Sequence, residues 1–250
     1  YATAVMELAR ADASVAITMA AHTSLGTLPV LLFGSDEQKQ KYLPEIAKGS
    51  LRLQAFGVTE PSTGSDTTQL KTKAERDGNG YVINGQKVWT SRAAHSDLML
   101  LLARTSPPEE CEKRTDGLSC FLVDLREVTG NGCEIKPLDA MINHNTTEVF
   151  FDNMHIPGDA LIGQEGKGFR YILDGMNAER VLIAGESLGD GKFFIDKGVS
   201  YANERVVFDR PIGQNQGIQF PLAKSWAELQ GADIMALSLI HISEPTRRYA

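Results

Sequence analysis

The sequence LKTKAERDGNGYVINGQKVWTS, residues 70–91, predicts a β-hairpin that leads into a further strand. Its central DGNG, residues 77–80, is typical of a turn, because Gly and Asn tolerate the positive φ angles that tight hairpins need. Runs of strand-forming residues lie on either side, at residues 70–76 and 81–83, and another follows at residues 87–91. The stretch therefore belongs to a β domain.

The same pattern extends in both directions from this hairpin, between residues 51 and 157. Short apolar or alternating runs recur there between turn residues, at residues 51–58, 98–104, 118–125, 133–138 and 146–154. With the three runs above they make eight short strands, which predict a compact antiparallel β-barrel or β-sandwich.

Helical periodicity precedes and follows the β region. In the first helical block, Ser35 and Gln38 form a capping-box pattern, and Gly49 is a predicted helix end. The helical pattern returns over about residues 169–208, and a second helix is predicted to end near Leu237. We therefore expect an α+β multidomain chain, with a helical segment, a middle antiparallel β-barrel domain and a truncated C-terminal helical bundle at residues 1–50, 51–160 and 161–237.

Both ends of the sequence indicate a fragment. Tyr1 is not an initiator Met, and it opens an Ala-rich apolar stretch that resembles a buried helix already under way. Residues 238–250 leave the helical period and include Pro245, so we expect them to be a non-native addition. A genuine exposed C-terminal tail is the alternative.

The composition excludes several classes of protein. With 42% hydrophobic and 23% charged residues, the 250-residue chain is neither disordered nor collagen-like. A formal net charge of −7 argues against nucleic-acid binding, which needs a clustered basic surface. The longest apolar runs, residues 28–33 and 98–103, are far shorter than a membrane span. The three cysteines lack C-x-x-C spacing, so we expect a soluble intracellular protein without a disulfide or zinc framework.

Three patches carry residue types that suit chemistry. In residues 56–66, FGVTEPSTGSD, a strand leads into a loop whose hydroxyls and backbone N–H groups can serve one ligand. Residues 85–91, GQKVWTS, place an indole beside two hydroxyls at a strand end. Residues 177–180, NAER, place a carboxylate in an otherwise apolar helix. Taken singly, each patch has a plain structural explanation: a turn, a core tryptophan or a solvated helix face.

Metal and dinucleotide sites have less support. The histidines are widely spaced, with no H-E-x-x-H pattern and no cysteine pairs, so no metal site is predicted. The glycine-rich residues 185–191 lie in a helical stretch without a preceding strand, which argues against an NAD loop.

Together and in this order, the patches resemble the signatures of the acyl-CoA dehydrogenase family, over residues 1–237. GSDEQKQKYLP at residues 34–44 resembles the family's segment before its β domain. VTEP and GSD within residues 58–66 resemble its first signature, and NGQKVW at residues 84–89 resembles the approach to its flavin-contacting strand. ERVVFDRPIG at residues 204–213 resembles its second helical signature.

This resemblance implies a fold and a reaction. The family has an N-terminal helical domain, a middle β-barrel and a C-terminal four-helix bundle, of which this chain carries the end of the first, all of the second and about half of the third. The implied reaction is FAD-dependent α,β-dehydrogenation of an acyl-CoA thioester to the trans-2-enoyl-CoA. A base removes the α-proton while a hydride leaves the β-carbon for flavin N5. A carboxylate can act as this base only where fixed donors stabilise the developing enolate oxygen and water is excluded.

The resemblance also implies site residues. The FAD-binding positions of the middle domain are Phe56, Val58, Thr59, Gly64, Ser65, Trp89, Thr90 and Ser91. Among them, Trp89 matches the residue that packs against the isoalloxazine, and Ser91 matches the hydroxyl that donates to flavin N5. Ser65, Asn177 and Arg180 match substrate-contacting positions.

Further implied contacts involve partners. Arg205, Phe208 and Gln216 match residues that hold the FAD of a neighbouring subunit, which implies a homo-oligomer, commonly a tetramer. Asp209 departs from the pattern, since relatives commonly have Gly there. The implied electron acceptor is electron-transfer flavoprotein, and the implied compartment is the bacterial cytoplasm or the mitochondrial matrix.

The catalytic base has two candidate positions. Most of the family supplies a Glu from a loop near the C-terminus, which lies outside this sequence. A smaller group, similar to isovaleryl-CoA and long-chain acyl-CoA dehydrogenases, places the Glu immediately before the substrate-contacting Arg, where this chain has Glu179. We expect Glu179 to be the base, with a late-loop Glu as the alternative.

Two other functions stay open. An oxygen-using flavoenzyme of the same fold, such as an acyl-CoA oxidase or a nitroalkane oxidase or monooxygenase, is one. The other is an inactive fragment that binds flavin or acyl-CoA without turnover.

Overall fold

A computed structural model describes residues 1–142 and 145–243, with residues 240–243 as backbone only. The helices are α1 (Ala2–Ala11), α2 (Ala13–Ala21), α3 (Leu28–Phe33), α4 (Asp36–Lys48), α5 (Leu125–Val128), α6 (Gly168–Glu204) and α7 (Gln216–Ser243). The strands are β1 (Leu53–Gly57), β2 (Lys73–Asp77), β3 (Gly80–Ser91), β4 (Leu98–Arg104), β5 (Leu118–Asp124), β6 (Cys133–Pro137), β7 (Thr146–Pro157), β8 (Leu161–Ile162), β9 (Val206–Val207) and β10 (Arg210–Pro211). These residues form two compact units, one of residues 21–176 and one of residues 1–20 with the chain from Asn177 onward.

Strands β1 to β8 form one open mixed sheet in the 21–176 unit. Its order is β6-β7-β3-β2-β4-β5-β8, with β1 beside β4. The predicted order of a helical segment, a middle β domain and C-terminal helices is confirmed, but the predicted closed antiparallel barrel is wrong, because the sheet is open and mixed. In the described part of the chain, the end strands β6 and β8 do not pair with each other, and β1 and β2 run parallel to β4. Residue patterns indicate that strands form, but closure depends on pairing between distant strands, which the patterns do not encode.

Strand β4 lies at the centre of the packing. All seven of its side chains are buried, because alternate residues enter two different hydrophobic clusters. Met99 and Leu101 join one cluster, and Leu100 joins the other together with Ile46 of α4 and Ile172 of α6. The apolar run at residues 98–103 is thus a strand covered on both faces.

The hairpin predicted at residues 77–80 is confirmed. Asp77 pairs with Gly80 across the turn, and Gly78 has a φ of 55°. The two runs predicted after it are one continuous strand, β3. Its pairing with β7 shifts register twice, between Ile83 and Gly85 and again between Lys87 and Thr90. Because of these two irregularities, buried and exposed side chains do not alternate regularly along the whole of β3.

Gly85 occupies the first irregularity. Its φ is 149°, and a Cβ atom there would lie 2.7 Å from Cα of Thr72 and 2.6 Å from its Oγ1. Only a residue without a side chain fits this approach between β3 and the chain before β2.

The predicted capping box and helix end are also confirmed. The amide of Gln38 donates to Oγ of Ser35 at 3.2 Å, and Oε1 of Gln38 accepts from the Ser35 amide at 3.0 Å. Gly49 ends α4 with a φ of 79°. The Gln38 side chain also donates to the carbonyls of Asp159 and Leu161, and so ties α4 to the start of β8.

The C-terminal helices differ from their predicted ends. Helix α6 stops at Glu204, because the short β9–β10 hairpin follows with Phe208 and Asp209 at φ 53° and 59°. Helix α7 continues to Ser243, past the predicted end near Leu237. The rest of the tail predicted to be non-native, residues 244–250, lies outside the described residues.

Glycines on α6 allow close helix packing within the second unit. A Cβ atom on Gly189 would lie 2.2 Å from the Met6 carbonyl of α1, and one on Gly191 would lie 2.7 Å from a methyl of Leu229 on α7. The glycine-rich stretch excluded as an NAD loop is therefore a helix-packing surface. It also contains GESLG, a match to G-x-S-x-G, but Ser187 lies inside the helix and donates to the Ile183 carbonyl at 2.9 Å.

One helical segment among the described residues is long and apolar enough to cross a membrane. Ala13–Phe33 has 21 residues with a mean hydropathy of 1.5, so the expectation that no segment reaches this length is corrected. Buried helices of soluble proteins satisfy the same two criteria.

The three cysteines have different surroundings. Cys111 lies half-buried in the loop of residues 105–117 between β4 and β5, whereas Cys120 and Cys133 are buried. Burial raises the pKa of the Cys133 thiol to about 11 and also raises that of Cys120.

We expect Gly85→Ala to lower the free energy of unfolding by about 2–4 kcal/mol, because the new methyl group meets the Thr72 backbone. Gly231→Ala is the control, since a Cβ atom there meets nothing within 4 Å. Urea unfolding followed by circular dichroism measures both. Equal stability of Gly85→Ala and wild type would contradict the close approach.

Candidate functional site

The hydroxyl-rich loop of residues 59–66 forms a compact turn after β1. The Glu60 amide donates to the Thr63 carbonyl at 2.9 Å, and the Thr63 amide donates back to the Glu60 carbonyl at 3.1 Å. Asp66 closes the loop by accepting from Gln69 and Thr68, whose hydrogen bonds lower the pKa of its carboxyl. Thr59 is half-buried, and Gly64 and Ser65 are exposed.

This loop meets the end of β3. The Val88 amide donates to the Thr59 carbonyl at 2.9 Å, so the first two sequence patches are adjacent. Trp89 has a φ of 59°, and 63% of its surface is exposed, which is unusual for so large an apolar side chain. Ser91 is also exposed, while Thr90 between them is buried. An indole and a hydroxyl therefore share the solvent-facing side of the strand end.

Arg92 fixes the chain just after this edge. It also has a φ of 59°, and its amide donates to the Asn145 carbonyl at 2.7 Å. Its side-chain Nε donates to Oε1 of Gln54 on β1 at 2.8 Å. These two hydrogen bonds hold the chain in place immediately after Ser91.

Thr90 carries a buried hydroxyl without a partner. Its side chain is 1% exposed, and its Oγ1 makes no hydrogen bond in the described structure. The Thr90 carbonyl, in contrast, accepts from the Thr147 hydroxyl of β7 at 2.7 Å. The Thr90 side chain therefore faces the core, and the exposed edge belongs to its two neighbours.

An ion pair is buried beneath the loop. Nζ of Lys87 lies 2.9 Å from Oε1 of Glu60 and also donates to the Val58 carbonyl at 3.1 Å. Lys87 is fully buried, and Glu60 is 6% exposed. The Glu60 carboxylate also accepts from the amides of Lys71 at 2.7 Å and Thr72 at 2.9 Å. Each charge is therefore paired and hydrogen-bonded, as a buried charge requires.

The two pKa values reflect this setting. Burial lowers the pKa of Lys87 to about 8, although the attraction of Glu60 opposes the shift. Burial opposes ionisation of Glu60, but the attraction of Lys87 and the hydrogen bonds from Lys71 and Thr72 outweigh it, so its pKa lies below the ordinary value. At neutral pH the pair is charged on both sides.

Sequence reasoning gave neither Glu60 nor Lys87 a role, although both lie inside quoted motifs. One signal in the sequence could have identified the pair. Lys87 lies within a predicted strand, at a position where the strand pattern predicts a buried side chain. Such a lysine needs a buried partner. The loop patch offers two acids, Glu60 and Asp66, and the sequence alone does not choose between them.

The third patch lies on α6 in the other unit. Asn177 and Arg180 are exposed, and Arg180 donates to Oδ1 of Asn177. Glu179 is half-buried. Further along the same helix, burial together with Asp190 and Glu179 raises the pKa of Glu186. This part of the helix therefore carries three acids that influence one another, Glu179, Glu186 and Asp190.

The remaining predicted contacts lie around the β9–β10 hairpin. Arg205 precedes it, and Gln216 begins α7 after it. Phe208 is 94% exposed at the turn, and Asp209 beside it has a φ of 59°, which explains why Gly suits that position. The hairpin thus presents an aromatic side chain to its surroundings.

A basic cavity of about 400 Å³ lies at the start of α6, inside the 21–176 unit. Its lining residues come from the β4–β5 loop, the segment before α6 and the first turns of that helix: Lys113, Thr115, Asp116, Gly166, Lys167, Phe169, Arg170 and Leu173. Asp116 lies 3.6 Å from Lys167 and offsets part of its charge. The cavity keeps a net positive lining that suits an anion.

Three domain models of one family match this chain in order. The acyl-CoA dehydrogenase N-terminal, middle and C-terminal domains match residues 1–50, 55–154 and 166–246. The chain belongs to the acyl-CoA dehydrogenase family. An acyl-CoA dehydrogenase of Bacillus subtilis (strain 168) is 37% identical over 223 residues, which are 89% of this chain and 58% of that relative.

Solved structures of the same family type superpose well. Butyryl-CoA dehydrogenase from Megasphaera elsdenii gives a TM-score of 0.86 at 30% identity, covering 95% of this chain and 61% of that one. A structure of PigA with FAD and proline gives 0.84 at 27% identity, covering 93% and 60%. The chain therefore spans about three fifths of the length of these acyl-CoA dehydrogenase-like proteins.

We expect Thr90→Val to raise the free energy of unfolding of this acyl-CoA dehydrogenase domain by about 1 kcal/mol, since it removes a buried hydroxyl without a partner. Thr147→Val is the matched control on the neighbouring strand. It removes the donor to the Thr90 carbonyl, so it should cost about 1 kcal/mol. Thermal unfolding of both variants tests whether Thr90→Val gains stability and Thr147→Val loses it. A loss of stability in Thr90→Val would show that its hydroxyl has a partner.

Proposed function

We propose that the enzyme containing this chain is an FAD-dependent acyl-CoA dehydrogenase that converts an acyl-CoA thioester to the trans-2-enoyl-CoA. The observation that carries the proposal is the solvent-facing edge where the exposed Trp89 and Ser91 adjoin the loop of residues 59–66. The edge combines a flat apolar surface with a row of hydroxyl donors. Family membership supports the reaction class.

The donor set of this edge fits a flavin. An isoalloxazine has flat faces that stack on aromatic rings and polar edges that accept hydrogen bonds. Trp89 supplies the ring, and Thr59, Ser65 and Ser91 supply donors at the surface. When bound, FAD accepts the hydride that leaves the substrate β-carbon. Phe56 and Val58, which pack in a hydrophobic cluster at the end of β1, are assigned to the flavin site as well.

The basic cavity at the start of α6 suits the phosphates of an acyl-CoA. Lys113, Lys167 and Arg170 bring three cations to one concave surface of the 21–176 unit. Phe169 and Leu173 add apolar surface beside them. A nucleotide tail carries several phosphate charges and an aromatic base, which match this lining.

We assign α-proton removal to Glu179. Glu179 is half-buried on α6 immediately before Arg180, and its carboxylate can accept a proton from a substrate held beside that helix. Asn177 and Arg180, which are joined by a hydrogen bond, are assigned to substrate positioning on the same helix. Ser65 is assigned to the thioester end of the substrate as well as to the flavin.

Subunit and electron-transfer partners complete the proposal. Phe208, exposed on its hairpin, would contact the FAD of a second copy together with Arg205 and Gln216. A homotetramer and electron-transfer flavoprotein as the acceptor follow from the family resemblance.

The direct test uses the FAD-loaded enzyme expressed from its complete reading frame. Acyl-CoAs of graded chain length are added without oxygen, and the flavin absorbance and the product mass are recorded. Bleaching with formation of the enoyl-CoA is expected. Absence of bleaching with every acyl-CoA would overturn the proposal. Stoichiometric peroxide in air would indicate the oxygen-using alternative.

We expect Glu179→Gln to slow flavin reduction by substrate at least about a hundredfold while FAD stays bound, because the base is lost. Glu228→Gln, an exposed acid on α7 that pairs with Lys224, is the matched control and should stay near the wild-type rate. Rapid-mixing absorbance measures both rates. Wild-type reduction by Glu179→Gln would assign the base to another residue.

We expect Arg170→Gln to raise the KM for acyl-CoA about tenfold with little change in kcat, because it removes a contact made equally before and during the reaction. The increase should shrink in high salt. Lys136→Gln, an exposed cation on β6, is the control. An unchanged KM in Arg170→Gln would remove the cavity from the proposed substrate site.

A further inference from the structure

We propose that the buried Glu60–Lys87 pair is a positioning device that holds the loop of residues 59–66 against the end of β3 in the shape that binds flavin. The proposal rests on the proposed function, in that it takes this edge as the flavin site. It assigns the two residues a role behind the contacts, without contact to the flavin itself.

The pair joins three segments of the chain. Lys87 on β3 reaches the Val58 carbonyl at the end of β1 and the Glu60 carboxylate in the loop. The same carboxylate accepts from the amides of Lys71 and Thr72, which lead into β2. Five polar groups, from the end of β1, the loop, the chain before β2 and β3, therefore meet around two buried charges.

The pair is close in the chain to residues of the candidate flavin edge. Glu60 follows Thr59 in the chain, and Trp89 comes two positions after Lys87. One main-chain hydrogen bond, from Val88 to Thr59, joins the same two segments at their surface. A shift of the Glu60 carboxylate would therefore move the Thr59 main chain relative to Trp89.

Stability alone does not account for such a pair. Taking both charges out of water is costly, and a well-packed apolar pair of similar size is often as stable or more so. A charged pair, unlike an apolar one, forms hydrogen bonds with preferred distances and angles, and these fix the positions of the loop atoms that they join. Supporting groups of this kind behind metal ligands are worth about 10–100-fold in affinity.

The test separates positioning from stability by comparing Lys87→Met with the double variant Glu60→Gln, Lys87→Met. The single variant leaves a buried carboxylate without its cation and should lower the unfolding temperature. The double variant removes both charges and should recover most of that loss. We expect FAD affinity, measured by flavin fluorescence, to stay at least about tenfold below wild type in both variants.

Hydrogen exchange of the apo protein supplies a second readout. Residues 59–66 and the end of β3 should exchange faster in both variants than in wild type. Met154→Ala, a cavity variant in the core of the same sheet, is the control that loses stability without touching the loop. It should keep wild-type FAD affinity and loop exchange.

Two results with the variants would overturn the proposal. FAD affinity that recovers together with the unfolding temperature in the double variant would show a purely structural pair. A loss of FAD affinity in Met154→Ala equal to that in Lys87→Met would show the same. Neither readout uses acyl-CoA, so an enzyme that binds FAD but oxidises no acyl-CoA would overturn only the proposed function. A wild-type enzyme that binds no FAD would overturn both.

Discussion

Strand β3 cannot keep a regular alternation, because it buries the consecutive side chains of Lys87 and Val88. The register shift against β7 between Lys87 and Thr90 absorbs this conflict, and Trp89 takes a positive φ as it turns outward. The irregularity lets the strand bury Lys87 and still expose the Trp89 indole and the Ser91 hydroxyl. A regular strand would place the indole or the lysine on the wrong face.

Three unusual polar groups of the 21–176 unit lie near this edge. Lys87 and Glu60 are charged and buried, and Thr90 has a hydroxyl without a partner. Elsewhere in the sheet, β4 buries apolar side chains on both faces. Departures from ordinary packing beside a candidate site are typical of a place where function, and not stability, selects the residues.

The parts of this fold that sequence predicts are those with local causes. The turn at residues 77–80 and the capping box of Ser35 depend on neighbours within a few positions, and both are present. Sheet closure depends on contacts between distant strands, and the predicted barrel is an open sheet. The exposed edge follows from motifs, whereas the partner of Lys87 is decided by the packing of β1, β2 and β3 together.

The loop between β4 and β5 carries a thiol, Cys111, that can be labelled selectively. Cys120 and Cys133 are buried, and burial raises the pKa of both, so they resist alkylation while the sheet is folded. Cys111 is half-buried in a loop whose Lys113 and Asp116 line the basic cavity. A maleimide dye would therefore attach beside that cavity and leave the core untouched. The native chain already contains a single addressable position for following occupancy of the cavity by fluorescence.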